Sequence, residues 1–164
     1  MPILDQNSME FLSRSPAQSR RLGIRLGALL EPGDVLCFSG NLGSGKTTFV
    51  QGLAQGWGSL DTVTSPTFVL VNVYQRPDGL KLHHLDAYRL QNSWEAEELD
   101  LILMMENGIL AVEWPEKIED ALPSERLWIN MEYVDEEQRE MLFTPVGEHY
   151  TKLVAEFRRQ VLGG

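Results

Sequence analysis

Residues 39–49 read SGNLGSGKTTF, and the eight from Gly40 to Thr47 match the pattern G-x-x-x-x-G-K-[ST] in full. An apolar run, VLCFS at 35–39, precedes the loop and reads as a strand covered on both faces. A helix is expected from about Lys46 to Gln55, ending near Gly56 and Gly58. Glycines let the backbone turn tightly, so that successive N–H groups point at phosphate oxygens. The helix N-terminus adds positive potential at the same place. Asn41, Leu42, Gly43, Ser44, Gly45 and Thr48 complete this loop around Lys46 and Thr47. Lys46 is expected to reach the β- and γ-phosphates of a nucleotide, and the Thr47 hydroxyl to ligand Mg²⁺.

Magnesium needs carboxylate help as well. Glu113 closes the apolar strand GILAVE, where an acid can hold a metal-bound water or polarise an attacking one. Asp86, in HHLDAYRL, follows another apolar strand and is the second candidate, with a turn cap as its plain alternative. His83 and His84 alternate across that strand, so at most one faces the site. Packing or hydrogen bonding suits both better than metal ligation, because no Cys or His cluster accompanies them. The polar loop TSPTF at 64–68 could bring Ser65 or Thr67 to a phosphate or metal, or be a simple turn.

The rest of the chain frames this site. Ser15 can cap a first helix with Pro16 in its first turn and Gln18 completing a capping box. Residues 67–75 and 80–88 read as a hairpin around the turn RPDG. Residues 92–106 read as one or two short helices, 126–134 and 140–146 as a second antiparallel pair, and 149–162 as an amphipathic helix with Leu153, Phe157 and Val161 on one side. The expected fold is an α/β, P-loop NTPase-like single domain over 1–164, with a mixed parallel and antiparallel sheet flanked by helices. Residues 1–14 read as an N-terminal extension, in part irregular.

The 164 residues carry a formal net charge of −10. Between Glu95 and Glu140 stand fifteen acidic residues against three basic ones, which repels bare nucleic acid and suits a solvated surface or a basic protein partner. No apolar run approaches a membrane span, and no basic start precedes an apolar stretch, so a cytoplasmic protein is expected. Cys37 stands alone in an apolar run and reads as a buried thiol. Neither N-K-x-D nor D-x-x-G occurs, which excludes an ordinary GTPase. The arginine-poor 95–140 region argues against the lid of a small-molecule kinase.

Four segments carry a family resemblance: GNLGSGKTTF at 40–49, SPTF at 65–68, HLDAYRL at 84–90 and VEWPE at 112–116. In this order and spacing they resemble the bacterial TsaE family, P-loop ATPases of tRNA threonylcarbamoyladenosine synthesis. The resemblance implies ATP and Mg²⁺ as ligands. By position it implies Lys46, Asp86 and Glu113 as catalytic residues, and Thr47, Glu113 and Asp86 at the metal. It implies Thr67, Trp114, Glu116, Arg139 and Ser15 around the nucleotide. It also implies TsaD and TsaB as partners, tRNA reached only through them, and ATP hydrolysis that resets the transferase. A small-molecule kinase and an ATP-dependent docking module without required hydrolysis are the alternatives.

Overall fold

The computed structural model describes residues 7–41, 44–60, 71–88, 90, 100–106 and 108–162. Seven strands form one sheet: β1 Met9–Ser13, β2 Val35–Ser39, β3 Val71–Gln75, β4 Lys81–Asp86, β5 Gly108–Glu113, β6 Arg126–Tyr133 and β7 Arg139–Val146. Their spatial order is β1-β7-β6-β2-β5-β4-β3. The centre, β6-β2-β5-β4, is parallel, while β1, β7 and β3 join antiparallel. This is the mixed α/β sheet expected from the sequence.

The sheet separates two cores. Helices α1 Pro16–Gly27, α2 Lys46–Trp57 and α4 Glu148–Val161 supply the larger one, together with Leu36 and Phe38 of β2 and Ile109 and Ala111 of β5. Phe38, Phe49, Phe143 and Phe157 form a chain of ring contacts through it, with centroids 5.8, 6.1 and 5.2 Å apart. Burying each ring contributes about 1.5–3 kcal/mol. The opposite core holds Val35, Cys37, Leu85, Leu110 and Val112, covered by α3 Leu101–Glu106 and the 3-10 turns at 115–117 and 119–121. Period-two alternation along each central strand assigns successive side chains to these two cores.

Helix α1 starts as expected, with the Ser15 side chain accepting the Gln18 N–H at 3.1 Å. The return bond differs from a strict capping box: Gln18 Oε1 accepts from Arg14 N–H, one residue upstream of the cap. Helices α1 and α2 pack through reciprocal glycines. A Cβ at Gly23 or Gly27 would lie 2.4 Å from Phe49 O or 2.2 Å from Leu53 O. A Cβ at Gly52 or Gly56 would lie 2.2 Å from Arg20 O or 2.0 Å from Ile24 O. Only glycine permits backbones this close, so α1 braces the helix that follows the loop.

Part of the expected N-terminal extension is a strand. Met9–Ser13 pairs antiparallel with β7, with Ser13 opposite Arg139 and Met9 buried. Its alternation is too short to stand out from sequence, and it is stabilised by an edge 130 positions away. The described acids of the 95–140 stretch do not share one surface. Glu113 is buried, Glu119 accepts from Arg126 at 2.6 Å, and Glu132 and Glu140 stand opposite each other on β6 and β7. Cys37 is fully buried, and burial pushes its thiol up to about 12. Among the described residues no helix is long and apolar enough to cross a membrane.

Candidate functional site

The loop leaves β2 at Ser39 and enters α2 at Lys46. Gly40 has φ +132, and a Cβ there would strike Met131 O at 2.0 Å, so glycine is required. Gly45 caps α2 in the left-handed region at φ +93. The first intrahelical bond of α2 runs from Phe49 N–H to Gly45 O. The N–H groups of residues 45–48 therefore have no partner within the helix. Ser44 is fully buried, and among the described residues its Oγ has no hydrogen-bond partner. Asn41 is exposed, while Thr47 and Thr48 are half-buried on the first turn. Leu42 and Gly43 lie outside the described residues, as do Ser65, Thr67 and Arg89.

Lys46 is buried, and its Nζ donates to Gly40 O at 2.7 Å across the loop. The same ammonium lies 4.4 Å from the Trp114 ring centroid. Burial pushes its pKa down, opposed by the charges of Glu113, Glu116 and Asp86.

Asp86 and Glu113 are register partners at the ends of the parallel strands β4 and β5. They extend the side-chain rows of Leu82 and His84 and of Ile109 and Ala111, on the face that α2 covers. Glu113 is nearly buried, and its Oε2 accepts from His84 Nε2 at 2.6 Å. Burial pushes the Glu113 carboxyl up, but the His84 hydrogen bond and the Lys46 ammonium outweigh it and hold the group below its usual range. Asp86 is half-buried, and its Oδ1 accepts the Tyr88 N–H at 3.0 Å, so it also serves as a turn cap.

Beyond β5 the chain reverses at Trp114, which adopts φ +59. Trp114 N–H donates to Phe38 O, and Ala87 N–H to Glu113 O, tying the tips of β2, β5 and β4 together. The Tyr88 and Trp114 rings stand 5.1 Å apart. Glu116 is exposed on the following 3-10 turn.

Arg139 enters from the other side. A Cβ on Gly45 would lie 3.5 Å from its Cγ and Nε. Its guanidinium lies over Tyr133 at 4.7 Å and donates to the carbonyls of Asp135 and Gln138, while its buried Nε has no partner among the described residues. Ser15 lies two residues beyond Ser13, the register partner of Arg139, with its hydroxyl engaged in capping α1. Lys46, Glu113, Asp86 and Trp114 thus gather at one end of the sheet. Arg139 borders the loop there, and the Ser15 Oγ accepts the capping bond from Gln18 N–H. The bond from His84 to Glu113 was not legible beforehand. Its only signal was the two-residue spacing between His84 and Asp86, which puts both on one strand face.

The site can hold a phosphate group and a hard cation. N–H groups without a partner inside α2, an ammonium and, among the described residues, the unpartnered Ser44 hydroxyl and Arg139 Nε suit anionic oxygens. The Thr47 hydroxyl and the Asp86 and Glu113 carboxylates are all oxygen donors, which suits Mg²⁺.

Fold and site define a P-loop nucleotide-binding protein with a mixed sheet. A family model described as "Threonylcarbamoyl adenosine biosynthesis protein TsaE" matches residues 13–141. The chain belongs to the TsaE family. It is 40% identical over 147 residues to the tRNA threonylcarbamoyladenosine biosynthesis protein TsaE of Bacillus subtilis, covering 88% of this chain and 90% of that one. The Streptomyces coelicolor protein of the same name is 40% identical over 137 residues, covering 80% and 93%. The crystal structure of Bacillus subtilis YdiB superposes with a TM-score of 0.77 at 34% identity, covering 93% of this chain and 95% of that one.

Proposed function

We propose that this chain is a cytoplasmic ATPase that works, as a single domain, in threonylcarbamoyl modification of tRNA. The observation that carries this reading is that Lys46, at the start of α2, lies 4.4 Å from the ring of Trp114, the residue after Glu113, with Asp86 in register beside Glu113 at the ends of β4 and β5. Membership of the TsaE family supplies the pathway.

On this reading the loop from Asn41 to Thr48 grips the phosphates, with Leu42 and Gly43 included. Lys46 turns from Gly40 O toward the β- and γ-phosphates. Thr47, Glu113 and Asp86 hold Mg²⁺, which when bound neutralises charge on the phosphate oxygens. Glu113 or Asp86 orients the attacking water, and Lys46 stabilises the charge that develops. Trp114 and Glu116 border the nucleotide from the β5 side, and Arg139 borders it from the β7 side. Thr67 and Ser15 complete the site. TsaD and TsaB are the partners, tRNA is met through them, and hydrolysis resets the transferase between turnovers.

The test is Mg²⁺-dependent ATP hydrolysis by the pure chain, alone and with TsaD and TsaB. A low basal rate that rises strongly with the partners is expected. A rate indifferent to them rejects the coupled reading. Glu113→Ala should retain ATP binding and lose turnover, and full turnover in that variant removes the assignment of Glu113.

A further inference from the structure

His84 is 2% exposed, and Glu113 supplies its one hydrogen bond among the described residues. Its Nδ1 is buried and, among the described residues, has no partner. A buried imidazole with one orphan nitrogen is less favourable than an apolar side chain of similar size. Leu82, on the same face, and Leu85, on the other, are fully buried and apolar, while His83 on the opposite face is also a buried histidine, so burial alone does not distinguish position 84. What distinguishes His84 is the partner it reaches: its Nε2 lies 2.6 Å from Oε2 of the buried Glu113.

The bond joins two strands. His84 pairs in register with Ala111, two residues before Glu113, so the imidazole reaches diagonally along one sheet face to the strand end. It takes up Oε2 only. Among the described residues Oε1 has no hydrogen bond. A carboxylate held by one oxygen has its rotamer restricted and its second oxygen left for another partner.

We propose that His84 is a positioning residue: its Nε2–H clamps Glu113 Oε2 so that Oε1 is presented to the water or cation at the phosphate site. This rests on the ATPase reading above and adds the part that orients its acid. Support shells of this kind change metal affinity or activity by about 10–100-fold when removed.

The test compares His84→Ala, His84→Phe and His84→Gln in the full chain. Gln can return an amide donor near the place of Nε2, whereas Phe keeps ring volume without a donor. Three quantities are read: kcat and KM for ATP hydrolysis, ADP affinity by calorimetry with and without Mg²⁺, and the melting temperature. Ala and Phe should lower kcat by about 10–100-fold with KM within a few-fold. They should also shrink the gain in ADP affinity conferred by Mg²⁺ while sparing the Mg²⁺-free affinity. Gln should restore much of both.

Gln as damaged as Phe, or Phe with unchanged kcat and unchanged Mg²⁺ gain, overturns the proposal. So does a loss of kcat that follows melting temperature across the three variants. If the native chain binds Mg²⁺ and ADP but hydrolyses no ATP, the ATPase reading fails and the Mg²⁺ gain alone judges His84. If Ala does not fold, Phe and Gln decide.

Discussion

The Lys46 ammonium lies between the Gly40 carbonyl, to which it donates at 2.7 Å, and the Trp114 ring, whose centroid is 4.4 Å away. Both contacts occupy the charge that a phosphate would recruit. Trp114 is thus next to the group that must move when a nucleotide binds. Trp114 fluorescence should change on adding ATP, and Trp114→Phe should remove most of that change. An equal change in the variant would assign the signal to another tryptophan.

Lys46 is held in the interior by its function rather than by the fold. Burial lowers its pKa from the ordinary value near 10.5, so below the lowered value the folded chain carries a charge it accommodates poorly. Lys46→Met should raise the melting temperature of the nucleotide-free protein, by about 1 kcal/mol in stability, and abolish stabilisation by ATP. The sign follows from proton binding. Between the folded and unfolded values the unfolded chain binds more protons, so the native protein gains stability relative to Lys46→Met as pH rises toward 10.5. Thermal denaturation at neutral and alkaline pH reads both effects.

The glycine contacts between α1 and α2 make a stability prediction. Alanine is the better helix former, yet Gly23→Ala places its Cβ 2.4 Å from Phe49 O and 2.9 Å from Leu53 N. The helices must separate, at a loss of about 3 kcal/mol measured by urea unfolding. Because α2 begins at the loop, ATP affinity should fall as well. An unchanged midpoint would show that the two helices can part freely.

Cys37 should be inert in the native protein. It is fully buried in β2, and its thiol is pushed up to about 12 by burial. A thiol-specific reagent at neutral pH should label it only after denaturant is added. Native labelling at a rate near that of a free thiol would mean that the sheet opens at its centre.

Much of this was legible in the sequence because it depends on neighbours within a few residues. The phosphate loop between a strand and a helix, the Ser15 cap, the strands ending in Asp86 and Glu113, the β6–β7 hairpin and the buried stripe of α4 all show as local pattern. Turn geometry, helix periodicity and strand alternation are short-range effects, so residue order alone expresses them.

Tertiary structure decided what meets what. His84 and Glu113 are 29 positions apart and bond only because β4 and β5 are parallel neighbours in one register. Arg139 borders Gly45, and the first strand becomes a sheet edge, through antiparallel pairing across the chain. Gly23, Gly27, Gly52 and Gly56 read as helix-weakening residues until two helices are seen sharing their backbones. Such contacts are fixed by strand order and packing distance, which depend on the whole chain burying its apolar surface at once and leave no mark within a short window of sequence.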